Sequence, residues 1–231
     1  MLWEASAGGL RRFASLRPML QSDGPLLLVI DVDSTVIEQE VIELIAAHAG
    51  VEPQVRAVTD AAMRGELDFA ASLRARVALL AGLPVEVFDA VRAAVRLTEG
   101  AIELCEAVHS RGGVVALVSG GFDAVVEGIA SAVGADHYRA NTLEVADGRL
   151  TGRVVGAIVD REAKAAALRE YAAQHCIPLE RTVAVGDGAN DLDMMDTAAL
   201  GIAFCAKPLV QQRADVSIYT RDLRLVLEHL G

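Results

Sequence analysis

Cysteine is scarce and scattered: the 231 residues hold three, Cys105, Cys176 and Cys205, with no C-x-x-C pair. This excludes a disulfide framework and gives no zinc-binding pattern, and it fits a reducing compartment, so a cytoplasmic location is expected. Positive charge is also short. Lys and Arg number 21 against 32 Asp and Glu, a formal net charge of −11 with a pI near 4.9. Wrapping a nucleic-acid backbone needs clustered cations, so no nucleic-acid partner is expected. Long apolar runs are missing too. The longest, such as Leu26–Ile30, are about five residues, against the roughly 20 that cross a bilayer, so no membrane partner is expected. Lysine is nearly absent: Lys164 and Lys207 stand beside 19 arginines.

What is present is globular chemistry, 53% hydrophobic and 23% charged, in a chain long enough for one large domain or one domain with an insert. Leu26–Ile30 is a continuous apolar run bounded by a turn and then by acids, the pattern of a strand buried on both faces. Val114–Val118, Thr182–Val185 and Gly201–Phe204 repeat it, with helical patterns such as Ala101–Ser110 and Glu162–Ala173 between them. Strand and helix signals in alternation predict an α/β fold with a doubly wound parallel sheet. Residues 36–99 interrupt that alternation with helical periodicity and no convincing strand. They predict a small helical cap inserted after the first strand, the core comprising residues 1–35 and 100–231. Thr142–Val155 alternates around Asp147-Gly148, a two-residue hairpin signal. Arg11, Arg12 and Arg17 with Ser6 and Ser15 read as an N-terminal arm over residues 1–24 that ends at the Asp23-Gly24-Pro25 turn, rather than as a transit peptide.

An open parallel sheet binds its ligand at the carboxyl ends of its strands. Those ends carry Asp31-Val-Asp33-Ser-Thr35, Ser119-Gly120-Gly121 and Gly186-Asp-Gly-Ala-Asn-Asp191. Asp31 and Asp33 stand two apart on extended chain, so both carboxylates face roughly one side, where they repel unless a cation or proton lies between them. Taken alone, the pair could simply cap a helix. With Asp187 or Asp191 facing it from another strand end, a hard divalent ion with oxygen ligands, Mg²⁺, is the expected occupant. Ser119-Gly120-Gly121 offers a hydroxyl and backbone N–H groups at a helix entrance, which suits an anion or is a plain strand-to-helix turn. Lys164 falls in the first turn of a helix, where a cation opposes the macrodipole and calls for an anionic partner. The five histidines show no shared metal spacing.

Asp31-Val-Asp33-Ser-Thr35, Ser119, Lys164 and Gly186–Asp191 occur in the order of the four signatures of the haloacid-dehalogenase-like phosphatases. From about Leu27 onward the chain resembles that family. Val118-Ser-Gly-Gly-Phe-Asp123 and Ala203-Phe-Cys-Ala-Lys-Pro208 look particular to its phosphoserine phosphatase branch. The resemblance implies a Rossmann-like core and Mg²⁺-dependent hydrolysis of O-phospho-L-serine to L-serine and phosphate, the last step of L-serine biosynthesis. It casts Asp31 as nucleophile and Asp33 as acid and then base. It also implies that Mg²⁺ is held by Asp31, the Asp33 carbonyl and Asp187, with Asp191 in support. Ser119, Gly120, Lys164 and Asn190 would hold or orient the phosphoryl group. In the cap, Glu40 would receive the substrate ammonium, Arg76 its carboxylate, and Met63 and Phe69 would supply an apolar wall. Two other activities share these motifs: phosphoryl transfer to another acceptor such as homoserine, and a non-enzymatic aspartyl-phosphate switch. The sequence leaves monomer and homodimer both open.

Overall fold

A computed structural model describes residues 24–63 and 66–230, apart from the side chains of Asp60 and Met63. The expected arm over residues 1–24 therefore lies outside the described residues except for Gly24. Seven strands form one sheet in the order β4-β3-β2-β1-β5-β6-β7. They are β1 (Leu27–Ile30), β2 (Val114–Phe122), β3 (His137–Ala146), β4 (Arg149–Val155), β5 (Thr182–Gly186), β6 (Leu200–Phe204) and β7 (Val216–Ile218). Every pairing is parallel except β3 with β4. β1 lies at the centre, wholly buried, because Leu27-Leu-Val-Ile30 has no polar face to give to water.

Apolar side chains pack on both faces of this sheet. One layer joins Leu28, Ile30, Leu117 and Val185 to Leu104, Val108 and Val125, from the helices α5 (Ala101–Ser110) and α6 (Asp123–Val133). The other sets Leu27, Val29 and Ala184 against Leu168 and Met195 of α7 (Arg161–Gln174) and α8 (Leu192–Thr197). A short helix, α9 (Pro208–Arg213), precedes β7. β7 and the parallel part of β3 were not expected. Val216-Ser-Ile is too short to show a period, and β3 serves two neighbours with different patterns, pairing first with β2 and then turning into the hairpin. The hairpin tip is where expected, with Asp147 at φ 50° and Gly148 at φ 71°, the left-handed pair of a type I′ turn.

Between β1 and α5 the chain forms four helices: Val41–Ala49, Glu52–Met63, Phe69–Ala78 and Val87–Ala94. We number α1–α4 in that order. Two extended segments lead in and out together, tied by an Ile37–Leu97 bridge, Thr98 N–H to Val36 O (2.8 Å) and Glu38 N–H to Arg96 O (3.0 Å). Arg96 adds an ion pair to Glu38 at 2.9 Å. The helices also rest on the β3–β4 hairpin, through Gly82 N–H to Leu150 O and Leu150 N–H to Leu83 O, both 2.8 Å. The insert is thus held above the carboxyl ends of the strands from two sides. No helix among the described residues is long and apolar enough to cross a membrane.

Candidate active site

Asp31 directly follows β1, and its N–H donates to Val185 O of β5 at 2.9 Å, so the sheet fixes its backbone. The next residues make a wide turn, with Val36 N–H reaching Asp31 O (3.4 Å) and Ile37 N–H reaching Val32 O (3.0 Å). Ser34 in that turn adopts φ 56°, ψ 6°, a left-handed conformation uncommon for a residue with a side chain. Its hydroxyl donates to Glu40 Oε1 at 2.8 Å, while Arg221 donates to its carbonyl at 2.9 Å. These bonds hold the turn from both sides.

Three carboxylates meet below it. Oxygens of Asp31, Asp187 and Asp191 all lie within 4.8 Å of one another, from the ends of β1 and β5 and the short turn Ala189–Asp191. Lys164, fully buried near the start of α7, donates to Asp31 Oδ1 at 2.5 Å and to Asp191 Oδ1 at 2.7 Å. The anionic partner that its place in the helix called for is therefore these two acids. Asp191 is committed at both oxygens, since Gly188 N–H donates to Oδ2 at 3.0 Å. Asp187 accepts no side-chain hydrogen bond among the described residues, which leaves its carboxylate available. One ammonium cannot neutralise three crowded carboxylates, two of them buried, so an oxygen-seeking divalent cation fits this donor set.

Protonation follows the crowding. Burial lowers the proton affinity of Lys164, but Asp191 and Asp31 override it and hold the ammonium above its usual range. Asp31 is pushed well above the carboxylate range by burial and then by Asp191. Asp187 rises to about 7 for the same two reasons. Asp33 also rises to about 7, through burial and then the nearby Glu40. Its carboxylate leaves the triad, accepting Val41 N–H at 3.0 Å from the start of α1, and lies against the Ser119 loop. A Cβ on Gly121 would meet Asp33 Oδ2 at 2.7 Å, so any side chain there would have to displace the Asp33 carboxylate.

Ser119 is fully buried within the second half of β2, and its Oγ accepts Gly121 N–H at 2.8 Å. Gly120 lies under the insert: a Cβ there would come within 3.0 Å of Phe69 Cζ and 3.9 Å of Asn190 Nδ2. Phe69 opens α3, capped by Asp68, which accepts Ala71 N–H at 2.7 Å. Arg76 is on the same helix, half-buried, its Nε donating to Ser72 O at 3.3 Å. Burial lowers its proton affinity while Glu40 and Asp33 oppose that change, so the guanidinium and both acids share one field. Thus Asp31, Asp33, Glu40, Phe69, Arg76, Ser119, Gly120, Lys164, Asp187 and Asn190 come together where the core meets the insert. The Met63 side chain lies outside the described residues.

The sequence reading missed two supporting residues, Arg221 and Asn141. Arg221 stacks over the Phe204 ring at 6.0 Å before reaching Ser34. Buried Asn141 donates to Gly120 O at 2.9 Å. Neither belongs to a motif, and no local spacing marks a residue that acts on backbone far away in the chain.

Residues 28–196 match the family model described as haloacid dehalogenase-like hydrolase. The chain belongs to the haloacid dehalogenase-like hydrolases. Within these hydrolases it groups with the phosphoserine phosphatases. It is 57% identical over 205 residues to a phosphoserine phosphatase of Streptomyces coelicolor, covering 89% of this chain and about half, 50%, of that protein. It is 50% identical to a phosphoserine phosphatase of Streptococcus thermophilus, covering 88% of this chain and 95% of the relative. A solved structure described as a phospho-aspartyl intermediate analogue of phosphoserine phosphatase superposes with a TM-score of 0.86 at 46% identity, over 90% of this chain and 100% of that one.

Proposed function

We propose that the chain is a Mg²⁺-dependent phosphoserine phosphatase, releasing L-serine and phosphate from O-phospho-L-serine through an aspartyl-phosphate on Asp31. The observation that carries this reading is the separation of the two aspartates. Asp31 lies in the carboxylate cluster beside Lys164, while Asp33, two residues on, faces Val41 N–H and the Ser119 loop. One acid is thereby set to attack and the other to move protons.

Asp31 attacks phosphorus, and the bond from phosphorus to the seryl oxygen breaks as Asp33 gives that oxygen a proton. Asp33 then takes a proton from the water that attacks the aspartyl-phosphate, returning Asp31 and releasing phosphate. A carboxyl held at about 7 can both donate and accept near neutral pH. Lys164 and the Ser119 hydroxyl meet the phosphoryl oxygens, with Gly120 and Asn190 orienting them, so that fixed donors face the charge of the transition state. Asp31, the Asp33 carbonyl and Asp187 would hold Mg²⁺, with Asp191 in support; when bound, it offsets the repulsion between an attacking carboxylate and a phosphate dianion.

The insert over residues 36–99 serves as the cap. Glu40 takes the substrate ammonium, Arg76 grips its carboxylate in two places, and Phe69 shields the site from water. A product of this kind is small and polar, and the three cysteines are free thiols, which supports a cytoplasmic enzyme of amino-acid synthesis.

The test is phosphate release from O-phospho-L-serine, phosphothreonine, phosphoethanolamine and a sugar phosphate, with Mg²⁺ and with chelator. Phosphoethanolamine has no carboxylate for Arg76, so discrimination on the order of 10⁴-fold is expected. Equal rates across the panel would remove the roles given to Glu40 and Arg76. No release from any ester would turn the assignment to phosphoryl transfer, measured with homoserine as acceptor, or to a persistent aspartyl-phosphate switch.

A further inference from the structure

We infer that Asn141 is a positioning residue for the phosphoryl clamp, setting the direction of the Ser119 hydroxyl through the Gly120–Gly121 peptide. The inference deepens the phosphatase reading and rests on it for the identity of the anion. It begins with a defect in the sheet. The β2–β3 ladder runs regularly to Val118 opposite Arg139 and resumes with Phe122 opposite Asn141. Ser119, Gly120 and Gly121 therefore arch out against the single residue Ala140, and the backbone groups of the arch lose their ladder partners.

Asn141 is 1% exposed and is bonded at both ends of its amide. Nδ2 donates to Gly120 O at 2.9 Å, and Oδ1 accepts Val159 N–H at 2.8 Å. The Gly120–Gly121 peptide is consequently fixed on both sides, its C=O by Asn141 and its N–H by Ser119 Oγ at 2.8 Å. Ser119 Oγ is used there as an acceptor. Its own hydrogen is left to donate to a phosphoryl oxygen. A directional chain results: Val159 N–H to Asn141, Asn141 to Gly120 O, Gly121 N–H to Ser119, and Ser119 outward. Linked bonds of this kind polarise one another in a buried site.

The other end of the chain has its own consequence. Val159 immediately precedes Asp160, the residue that caps α7 by accepting Ala163 N–H at 3.0 Å, and α7 carries Lys164. One buried amide thus ties together the two segments that bear the hydroxyl and the ammonium of the clamp.

The test is a double-mutant cycle read by orthophosphate affinity in the presence of Mg²⁺, using calorimetry on the full chain. Asn141→Asp keeps the volume and the acceptor for Val159 N–H but cannot donate from an ionised carboxylate to Gly120 O. A bond to a charged group is involved, so Asn141→Asp and Ser119→Ala should each weaken orthophosphate binding about tenfold. Because Asn141 acts through Ser119, the double variant should fall within about twofold of Ser119→Ala alone. A loss near a hundredfold in the double variant, or an Asn141→Asp affinity within twofold of wild type, overturns the inference. If Asn141→Asp does not fold, Asn141→Ser, too short to span both partners, enters the same cycle, and the same two outcomes overturn the inference. Orthophosphate is the probe, so absence of phosphoserine turnover in the wild type would sink the substrate assignment while the cycle still decides the role of Asn141.

Discussion

Replacing Lys164 by methionine keeps an unbranched apolar stem one atom shorter and removes the one ammonium that Asp31 and Asp191 share. At an effective dielectric near 20, a unit-charge pair about 2.6 Å apart interacts by about 6 kcal/mol, and Lys164 makes two such contacts, at 2.5 and 2.7 Å. Most of that attraction offsets the desolvation of three buried ions, but the variant recovers only the desolvation of the lysine while two carboxylates stay buried without it. Removal of one partner from a buried ion pair costs about 3–5 kcal/mol. For a chain of this size each kcal/mol shifts the midpoint by about 2–4 °C, so Lys164→Met should melt about 6–20 °C below wild type in chelator. The assay is a calorimetric melt at neutral pH. Adding Asp191→Asn to Lys164→Met should recover part of the loss, since it removes one of the stranded charges. A single variant that melts within about 2 °C of wild type, or a double variant that is additively worse, would refute the electrostatic account of the cluster.

Two further outcomes are expected. Asp33→Asn should lower turnover of phosphoserine by about 10²–10⁴-fold while Mg²⁺ affinity in calorimetry stays near wild type, because only its carbonyl is proposed to face the metal; normal turnover would remove Asp33 as the acid and base. Asp33 and Asp187 hold carboxyls at about 7 rather than the ordinary 3.8, so between those values the folded protein keeps protons the unfolded chain has released. Their contribution is therefore greatest below about pH 4 and is lost as pH rises through about 7. Melting in chelator should fall between about pH 5 and pH 8 and Mg²⁺ should shrink that fall, whereas a midpoint that rises over the range would contradict the crowding of the cluster.

Much of the candidate site was legible because its chemistry is local. Asp31 and Asp33 follow one apolar run, Ser119-Gly-Gly another and Gly186–Asp191 a third, and an open parallel sheet must bring strand ends to one edge. The helical character of the insert was legible for a similar reason, since periodicity near 3.6 shows in any amphipathic helix. What stayed hidden acts across the chain. β7 is three residues long and gains its place by pairing with β6, and β3 changes neighbours midway, so neither carries a pattern of its own.

The sequence alone determined which residue types stand at the strand ends, that a helical segment interrupts the first crossover, and that Lys164 needed an anion. Only the tertiary structure decided which anions those were, Asp31 and Asp191. It also decided that Asp33 turns away from the cluster toward Val41, that Arg221 steadies Ser34 from 187 residues away, and that Asn141 reaches into the Ser119 arch. The physical reason is the same in each case. Apolar periodicity is a property of neighbouring residues, whereas a buried polar group is settled by whichever distant donor or acceptor the packed core leaves within about 3 Å.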